Sequence, residues 1–266
     1  MPIFHSYIGV LIVYSYKLII SYDGTDFCGW QWQKEGQSIN SVMRSTFARV
    51  FRQDEESFLL VGASRTDAGV HAQCQVVRLR TSLLLQSERL KKVWNDALPS
   101  SIIITHVEMI DSTFHPQHNV AYKIYEYMFF TERPCFRTQR FGWYLHKKVD
   151  LNRVKVALQL FIGEHDFAAF CRNHEDRPTV LKIDSIELLV GNQPEQWKVR
   201  VKGKSFLRHM IRRIVGACLW YGMYKPTPLS AITDALYHQK LVQTLPTAPA
   251  KGLCLEEICY IPKGSK

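Results

Sequence analysis

The chain has 266 residues, enough for one large domain or two medium-sized ones around a substantial core. Hydrophobic residues make up 46% of it and charged residues 22%, a composition that excludes a disordered, collagen-like or coiled-coil protein. The 34 Lys and Arg against 24 Asp and Glu leave a net charge of +10, so the surface should attract polyanions, nucleic acid before anionic membrane.

The cysteines and the first apolar stretch bear on the cellular compartment. The seven cysteines include no CxxC pair, which argues against a disulfide framework or a zinc site and favours free thiols in a reducing cytoplasm. Tyr14, Ser15 and Lys17 interrupt the apolar stretch of residues 8–20, which is too short to span a membrane. No Lys or Arg precedes it, so no signal peptide is expected. We therefore expect a cytoplasmic protein without a membrane segment.

Hydrophobic periodicity predicts the elements of the first half of the chain. Strand patterns lie at residues 16–22, 59–61, 75–79 and 102–105. Ser38 caps one predicted helix, and Ser87 caps a second helix that stops before Pro99. Between the second and third strands lies a polar loop, which becomes the focus of the functional argument.

The second half begins after a polar stretch at residues 111–118. A strand starts at Tyr122, and a helix capped by Asp150 ends at Gly163. Two more strands at residues 183–190 and 197–201 precede a long helix at residues 206–221.

This order of elements predicts the fold class and the domain organisation. Strands followed by helices in two similar halves, without regular strand–helix alternation, indicate an α+β fold. We predict an N-terminal extension at residues 1–15, an N-terminal catalytic half at residues 16–113 and a C-terminal half at residues 114–266.

Basic residues are concentrated between Glu195 and Asp234, where no acidic residue occurs. The basic stripe, as we call it, consists of Lys198, Arg200, Lys202 and Lys204. Because these residues are two apart on a predicted strand, they should share one face of the sheet. Arg208 and Arg212 continue the charge into the long helix. A second basic cluster lies among aromatic residues at positions 133–148, and this mixture suits phosphate neutralisation and base stacking.

The polar loop at residues 62–72 reads G-A-S-R-T-D-A-G-V-H-A. Arg65 precedes Asp67 by two residues, and a carboxylate held near guanidinium groups stays ionised and oriented. Gly69 permits a sharp turn or a close approach by a substrate. A turn between strands would explain Asp67 and Gly69, but it does not explain the whole string.

The loop resembles the catalytic motif of the TruA-type tRNA pseudouridine synthases, which matches this chain from Arg65 to Ala72 as R-T-D-A-G-V-H-A. Other segments match in order between residues 16 and 260: Tyr22-Asp23-Gly24-Thr25 with Gly29-Trp30-Gln31, Phe114-His115, Lys123-x-Tyr125-x-Tyr127, Asp166-Phe167 with Phe170, the helix from Phe206 to Gly216, and Ala248-Pro249-Ala250-x-Gly252-Leu253. Ser64 and Arg213 depart from the resemblance, because many members carry Gly and Asn there.

The resemblance implies an isomerase that converts uridine to pseudouridine on the 3′ side of the tRNA anticodon arm, at tRNA positions 38–40. It implies two α/β halves sharing one extended antiparallel sheet with flanking helices, and an active cleft between the halves. It also implies a homodimer whose tRNA contacts both subunits, and no metal or organic cofactor.

The resemblance also implies the site residues. Asp67 would either attack the ribose anomeric carbon or assist departure of the uracil with formation of a glycal. Arg212 would form an ion pair with Asp67, and Tyr125 would stack on the target base and is a candidate for the base that removes the carbon-5 proton. Tyr125 and the basic residues Arg65, Lys198, Arg200, Lys202, Lys204 and Arg208 would bind the tRNA.

Two other functional classes share features with this sequence. Asp23-Gly24-Thr25 after a strand is similar to the end of the D-x-D-G-T motif of haloacid-dehalogenase-type aspartyl hydrolases. The nucleophile of that motif is an Asp two residues before Asp23, where this chain has Ser21, so the nucleophile is absent. A non-catalytic basic RNA-binding protein would explain the charge and the aromatic residues equally well, but it leaves the Asp67 loop unexplained. His71, His115 and His209 lack the spacing of metal ligands.

Overall fold

The structure, a computed structural model, describes residues 13–172, 178–193, 195–238 and 245–262. Most of the predicted N-terminal extension therefore lies outside the described residues. The strands are β1 (Tyr14–Tyr22), β2 (Leu59–Gly62), β3 (His71–Thr81), β4 (Ile102–Ile110), β5 (Val120–Phe130), β6 (Trp143–Tyr144), β7 (Gly163–Asp166), β8 (Val180–Val190), β9 (Gln196–Gly203) and β10 (Leu253–Tyr260). The helices are α1 (Ile39–Phe51), α2 (Ser87–Asn95), α3 (Leu151–Gln159), α4 (Met210–Met223) and α5 (Ser230–His238).

All ten strands in the described part of the chain belong to one sheet, which confirms the predicted α+β fold with a shared sheet. Its order is β4-β1-β3-β10-β5-β9-β8-β7, with β2 on β3 and β6 on β5. The last strand, β10, lies between β3 and β5 and so joins the elements of the first half to those of the second. Within the described residues, no helix is long and apolar enough to cross a membrane.

The sheet is mostly antiparallel, as the resemblance implies, with two short parallel pairings. β10 runs antiparallel to β5 but parallel to β3, and the short β6 is parallel to β5. The β3–β10 pairing consists of two residue pairs, Cys254 with His71 and Leu255 with Ala72. Towards its C-terminal end, β3 pairs with β2 instead of β10. The loop that connects β2 and β3 therefore lies next to the short β3–β10 pairing that joins the two halves of the sheet.

Helix boundaries agree with the sequence where a side chain caps the helix. The Ser38 side chain accepts a hydrogen bond from the Ser41 N–H at the start of α1, and Asp150 caps α3 in the same way. The predicted cap of α2 is wrong, because Ser87 is already helical and Gln86 precedes it without a side-chain bond. Small differences also occur at strand ends, since β1 begins at Tyr14, inside the predicted extension.

The long C-terminal helix begins four residues later than predicted. His209 precedes α4 with a φ of +64°, a left-handed conformation that cannot continue a helix backwards. Residues 204–209 therefore form a connection between β9 and α4 instead of the first turn of the helix. This connection is one wall of the cleft described below.

Candidate active site

The loop between β2 and β3 is fastened to its surroundings by its backbone. The Trp30 N–H donates to the Thr66 carbonyl at 3.2 Å, and the Val70 N–H donates to the Asp67 carbonyl at 3.1 Å. Gly29 lies so close that a Cβ there would come within 2.4 Å of the Thr66 oxygen. Gly69 has a φ of +75°, a conformation that favours glycine and closes the turn after Asp67. These contacts thus hold the backbone of Asp67 in a fixed position.

Asp67 lies against the N-terminal end of α4. Its Oδ2 is 3.3 Å from Arg212 Nη1 and 3.5 Å from His209 Nε2. Arg212 is itself oriented, because its Nε donates to the Ala248 carbonyl at 2.9 Å. The structure therefore brings together Asp67 and Arg212, which are 145 residues apart in the chain.

His209 is a site neighbour to which the sequence analysis gave no role. Burial lowers the pKa of its imidazole, although the negative charge of Asp67 acts in the opposite direction. At neutral pH the ring is uncharged, so Arg212 supplies the positive charge beside the carboxylate. The one sequence signal for His209 was its position three residues before Arg212 in the helix motif.

Tyr125 lies on β5, and its ring is held from two sides. Its hydroxyl is 2.8 Å from Ser64 Oγ, and its ring meets Phe206 edge-on at 5.4 Å between centroids. Burial, together with the smaller effect of the Asp67 charge, raises the pKa of the phenol to about 12, although the hydrogen bond with Ser64 acts in the opposite direction. The phenol is therefore protonated at neutral pH, and it must release its own proton before it can accept another.

These groups line a single cleft of about 1100 Å³. Its walls are the Asp67 loop and the β9–α4 connection, with β5 between them. Asp67, Tyr125 and Arg212 line the cleft together with the basic residues Arg65, Lys204 and Arg208. Among the described residues, no group of three or more His, Cys, Asp and Glu could hold a metal ion.

Most of the basic stripe lies on the other face of the sheet. Arg200 of β9 pairs with Glu126 of β5, whereas Val201 pairs with Tyr125, and paired residues share a face. Lys198, Arg200 and Lys202 therefore point away from the cleft and do not line it with Asp67. Lys204 lies beyond the end of β9 and does line the cleft.

Two of these residues, Lys198 and Arg200, pair with a buried carboxylate on that face. Lys198 Nζ is 2.9 Å from Glu126 Oε2, and Arg200 Nη2 is 2.6 Å from Glu126 Oε1. Burial alone would raise the pKa of the Glu126 carboxyl, but hydrogen bonds from Lys198 and Arg200 lower it below its ordinary value. Lys198 and Arg200 thus neutralise an internal charge.

The two faces should respond differently when their cations are removed. We expect the Lys204→Ala/Arg208→Ala double variant to make the log–log salt dependence of tRNA binding shallower by about 1 to 2, because each phosphate contact releases counterions. The Lys198→Ala/Arg200→Ala variant, matched in charge, should change this slope by less than about 0.5. Filter binding at several salt concentrations measures both slopes. Equal changes in the two variants would contradict the assignment of faces.

Removal of the two cations on the other face should instead affect stability. We expect Lys198→Ala/Arg200→Ala to lower the free energy of unfolding at pH 7 by about 1–3 kcal/mol, because Glu126 keeps its charge and loses its partners. A carboxyl with a depressed pKa stabilises the fold above its unfolded-state pKa and loses this contribution as the pH falls through its folded-state pKa. The difference from wild type should therefore shrink below about pH 4.5 in urea titrations.

The chain is similar to known proteins over most of its length. Residues 18–119 and 157–261 match the family model described as tRNA pseudouridine synthase. The chain is 35% identical over 258 residues to tRNA pseudouridine synthase A of Thermodesulfovibrio yellowstonii, covering 92% of this chain and 98% of that protein. It is 34% identical to the protein of the same name from Leuconostoc mesenteroides, covering 92% and 98%.

A solved structure is more distantly similar. The chain resembles a protein in the crystal structure of an archaeal box H/ACA sRNP Nop10-Cbf5 complex with a TM-score of 0.35 and 14% identity, covering 77% of this chain and 42% of that one. The family model and the two curated relatives each cover most of the chain, and they decide its classification. The chain belongs to the tRNA pseudouridine synthase family.

Proposed function

We propose that this protein is an isomerase that converts uridine to pseudouridine in tRNA. The observation that carries the proposal is the Asp67 carboxylate, which is held 3.3 Å from Arg212 in the cleft that Tyr125 also lines. A charged carboxylate in a partly dehydrated cleft is a group that can react with, or stabilise, a positively charged sugar carbon.

The reaction leaves the atomic composition of the nucleoside unchanged. The bond between N1 of uracil and the ribose C1′ breaks, and a bond between C5 and C1′ forms. The C5 proton leaves, and N1 takes up a proton. Asp67 either bonds to C1′ or assists departure of the base with formation of a glycal, and both roles need its negative charge. Arg212 places a positive charge beside the carboxylate and orients it, because one of its hydrogen bonds goes to Asp67 and the other anchors the guanidinium to the Ala248 carbonyl.

The target uridine has to leave its stack to reach Asp67. Enzymes that act on a base turn it out of the helix into a pocket and read it by stacking and hydrogen bonds. In our proposal Tyr125 stacks on the turned-out base. Arg65, Lys204 and Arg208 around the cleft contact the phosphates that flank it.

The test is incubation of purified protein with an anticodon-arm RNA, followed by nucleoside chromatography for pseudouridine. We expect pseudouridine on the 3′ side of the arm, at tRNA positions 38–40, and none in an otherwise identical arm whose uridines at those positions are replaced by cytidine. Tight binding without product would favour the alternative, a non-catalytic RNA-binding protein. Product formed only outside the arm would contradict the proposed substrate region.

Two further proposals concern assembly and compartment. We propose a homodimer, which sedimentation equilibrium tests by a mass twice that of the chain. We also propose a cytoplasmic location, which is supported by the seven cysteines, all of them free thiols in the structure. Cell fractionation followed by immunoblotting tests it.

A further inference from the structure

Three polar side chains form a chain of contacts that ends at the hydroxyl of Tyr125. Lys123 Nζ donates to the Ala63 carbonyl at 3.0 Å and lies 3.2 Å from Ser64 Oγ. Ser64 Oγ lies 2.8 Å from the Tyr125 hydroxyl. Lys123 and Tyr125 share the face of β5 that lines the cleft, while Ser64 comes from the Asp67 loop, so the contacts join two elements.

The Ser64 backbone is held firmly enough to fix its side chain. Its N–H donates to Gln75 Oε1 at 3.1 Å, and its carbonyl accepts from Gln75 Nε2 at 2.6 Å. Gln75 is fully buried on β3. With both backbone groups bound by one buried amide, Ser64 cannot move away from Tyr125 without breaking these bonds.

The donor and acceptor types restrict how the contacts work. An ammonium group can only donate, so Ser64 Oγ accepts from Lys123. One of the two hydroxyls then donates to the other. When Ser64 donates, the phenol hydrogen of Tyr125 is free to point into the cleft. Phe206 packs edge-on against the ring, and because the phenol oxygen is rigidly bonded to that ring, Phe206 and Ser64 restrain the same group from two ends.

We propose that Ser64 and Lys123 are positioning residues of the isomerisation: Lys123 orients the Ser64 hydroxyl, and this hydroxyl holds the phenol oxygen of Tyr125 beside the target base. The inference rests on the proposed function, because it concerns the chemical step. The contact between Ser64 and Tyr125 can be observed without any reaction, so this inference and the proposed function can fail separately.

Single-turnover kinetics test the chemical consequence. We expect Ser64→Ala to slow pseudouridine formation about tenfold with tRNA affinity unchanged within about twofold, as for the loss of one hydrogen bond to a reacting group. In the Tyr125→Phe background the same substitution should have no further effect, because the hydroxyl through which Ser64 acts is absent. A rate within about twofold of wild type, or an equal loss in both backgrounds, would overturn the proposal.

Lys123→Met tests the first contact in the chain. We expect it to slow turnover, and to slow it less when Ser64 is already Ala. Weaker tRNA binding at an unchanged rate would overturn the role of Lys123, and would make it a phosphate contact. Ser45→Ala and Lys91→Met, on the outer surfaces of α1 and α2, are matched controls that should react like wild type.

A spectroscopic measurement reads the contact itself. The measurement is ¹³C NMR of protein whose tyrosines are labelled at the ring carbon that bears the hydroxyl. The Tyr125 resonance is assigned as the one that is missing from the spectrum of Tyr125→Phe. Ser64→Ala should shift this resonance, and Ser45→Ala should not. An unmoved resonance would overturn the proposal even if Tyr125→Phe is too slow to measure. A shifted resonance in a protein that forms no pseudouridine would support the contact and refute the proposed function.

Discussion

Replacement of Asp67 by Asn should lower single-turnover pseudouridine formation by at least about a thousandfold, equivalent to about 4 kcal/mol of barrier. Asn keeps the size and the hydrogen-bonding shape of the side chain and removes the charge that either mechanism requires. Binding of tRNA should change little, because a carboxylate that faces phosphates does not help affinity. Rapid-quench kinetics and filter binding on the same preparation measure the two quantities.

The control for this variant is Asp54→Asn, which removes the same charge at an exposed position in the turn before β2. It should retain wild-type activity. If Asp67 only stabilised its turn, Asn would be tolerated there, and activity would persist with a slightly lower melting temperature. Activity of Asp67→Asn within about tenfold of wild type, in folded protein, would therefore remove Asp67 from the mechanism.

Arg212→Lys should lower the single-turnover rate by about a hundredfold, although the positive charge is retained. In the structure the guanidinium makes two directed contacts, from Nη1 to Asp67 and from Nε to the Ala248 carbonyl. A lysine ammonium is a single point of charge, and it cannot make both contacts in the same plane. The carboxylate would stay paired but lose its fixed orientation. The rate at saturating tRNA measures this loss.

Arg49→Lys is the matched control for this prediction. Arg49 lies on α1 outside the cleft lining, where its Nη2 reaches the Ala97 carbonyl at 3.4 Å, so its replacement should leave the rate unchanged. A wild-type rate for Arg212→Lys would mean that charge alone suffices, and that the orientation of Asp67 does not limit the reaction.

Sequence patterns located most of the elements because they depend on local chemistry. Ser38 and Asp150 begin helices in the structure as their capping chemistry predicts. The start of α4 could not be found in the same way. Nothing in the apolar pattern distinguishes residues 206–209 from the helix that follows, and the left-handed conformation of His209 ends the helix there.

The amino-acid sequence by itself determined the family, the Asp67 motif and the shared face of Lys198, Arg200 and Lys202, because each of these is a matter of residue identity and spacing. Only the tertiary structure decided which face that is. A period of two assigns residues to two sides of a strand, but the register of β9 against β5 decides which side contains Tyr125. The contacts of Asp67 with His209 and of Tyr125 with Ser64 were likewise decided by packing, because each joins residues far apart in the chain.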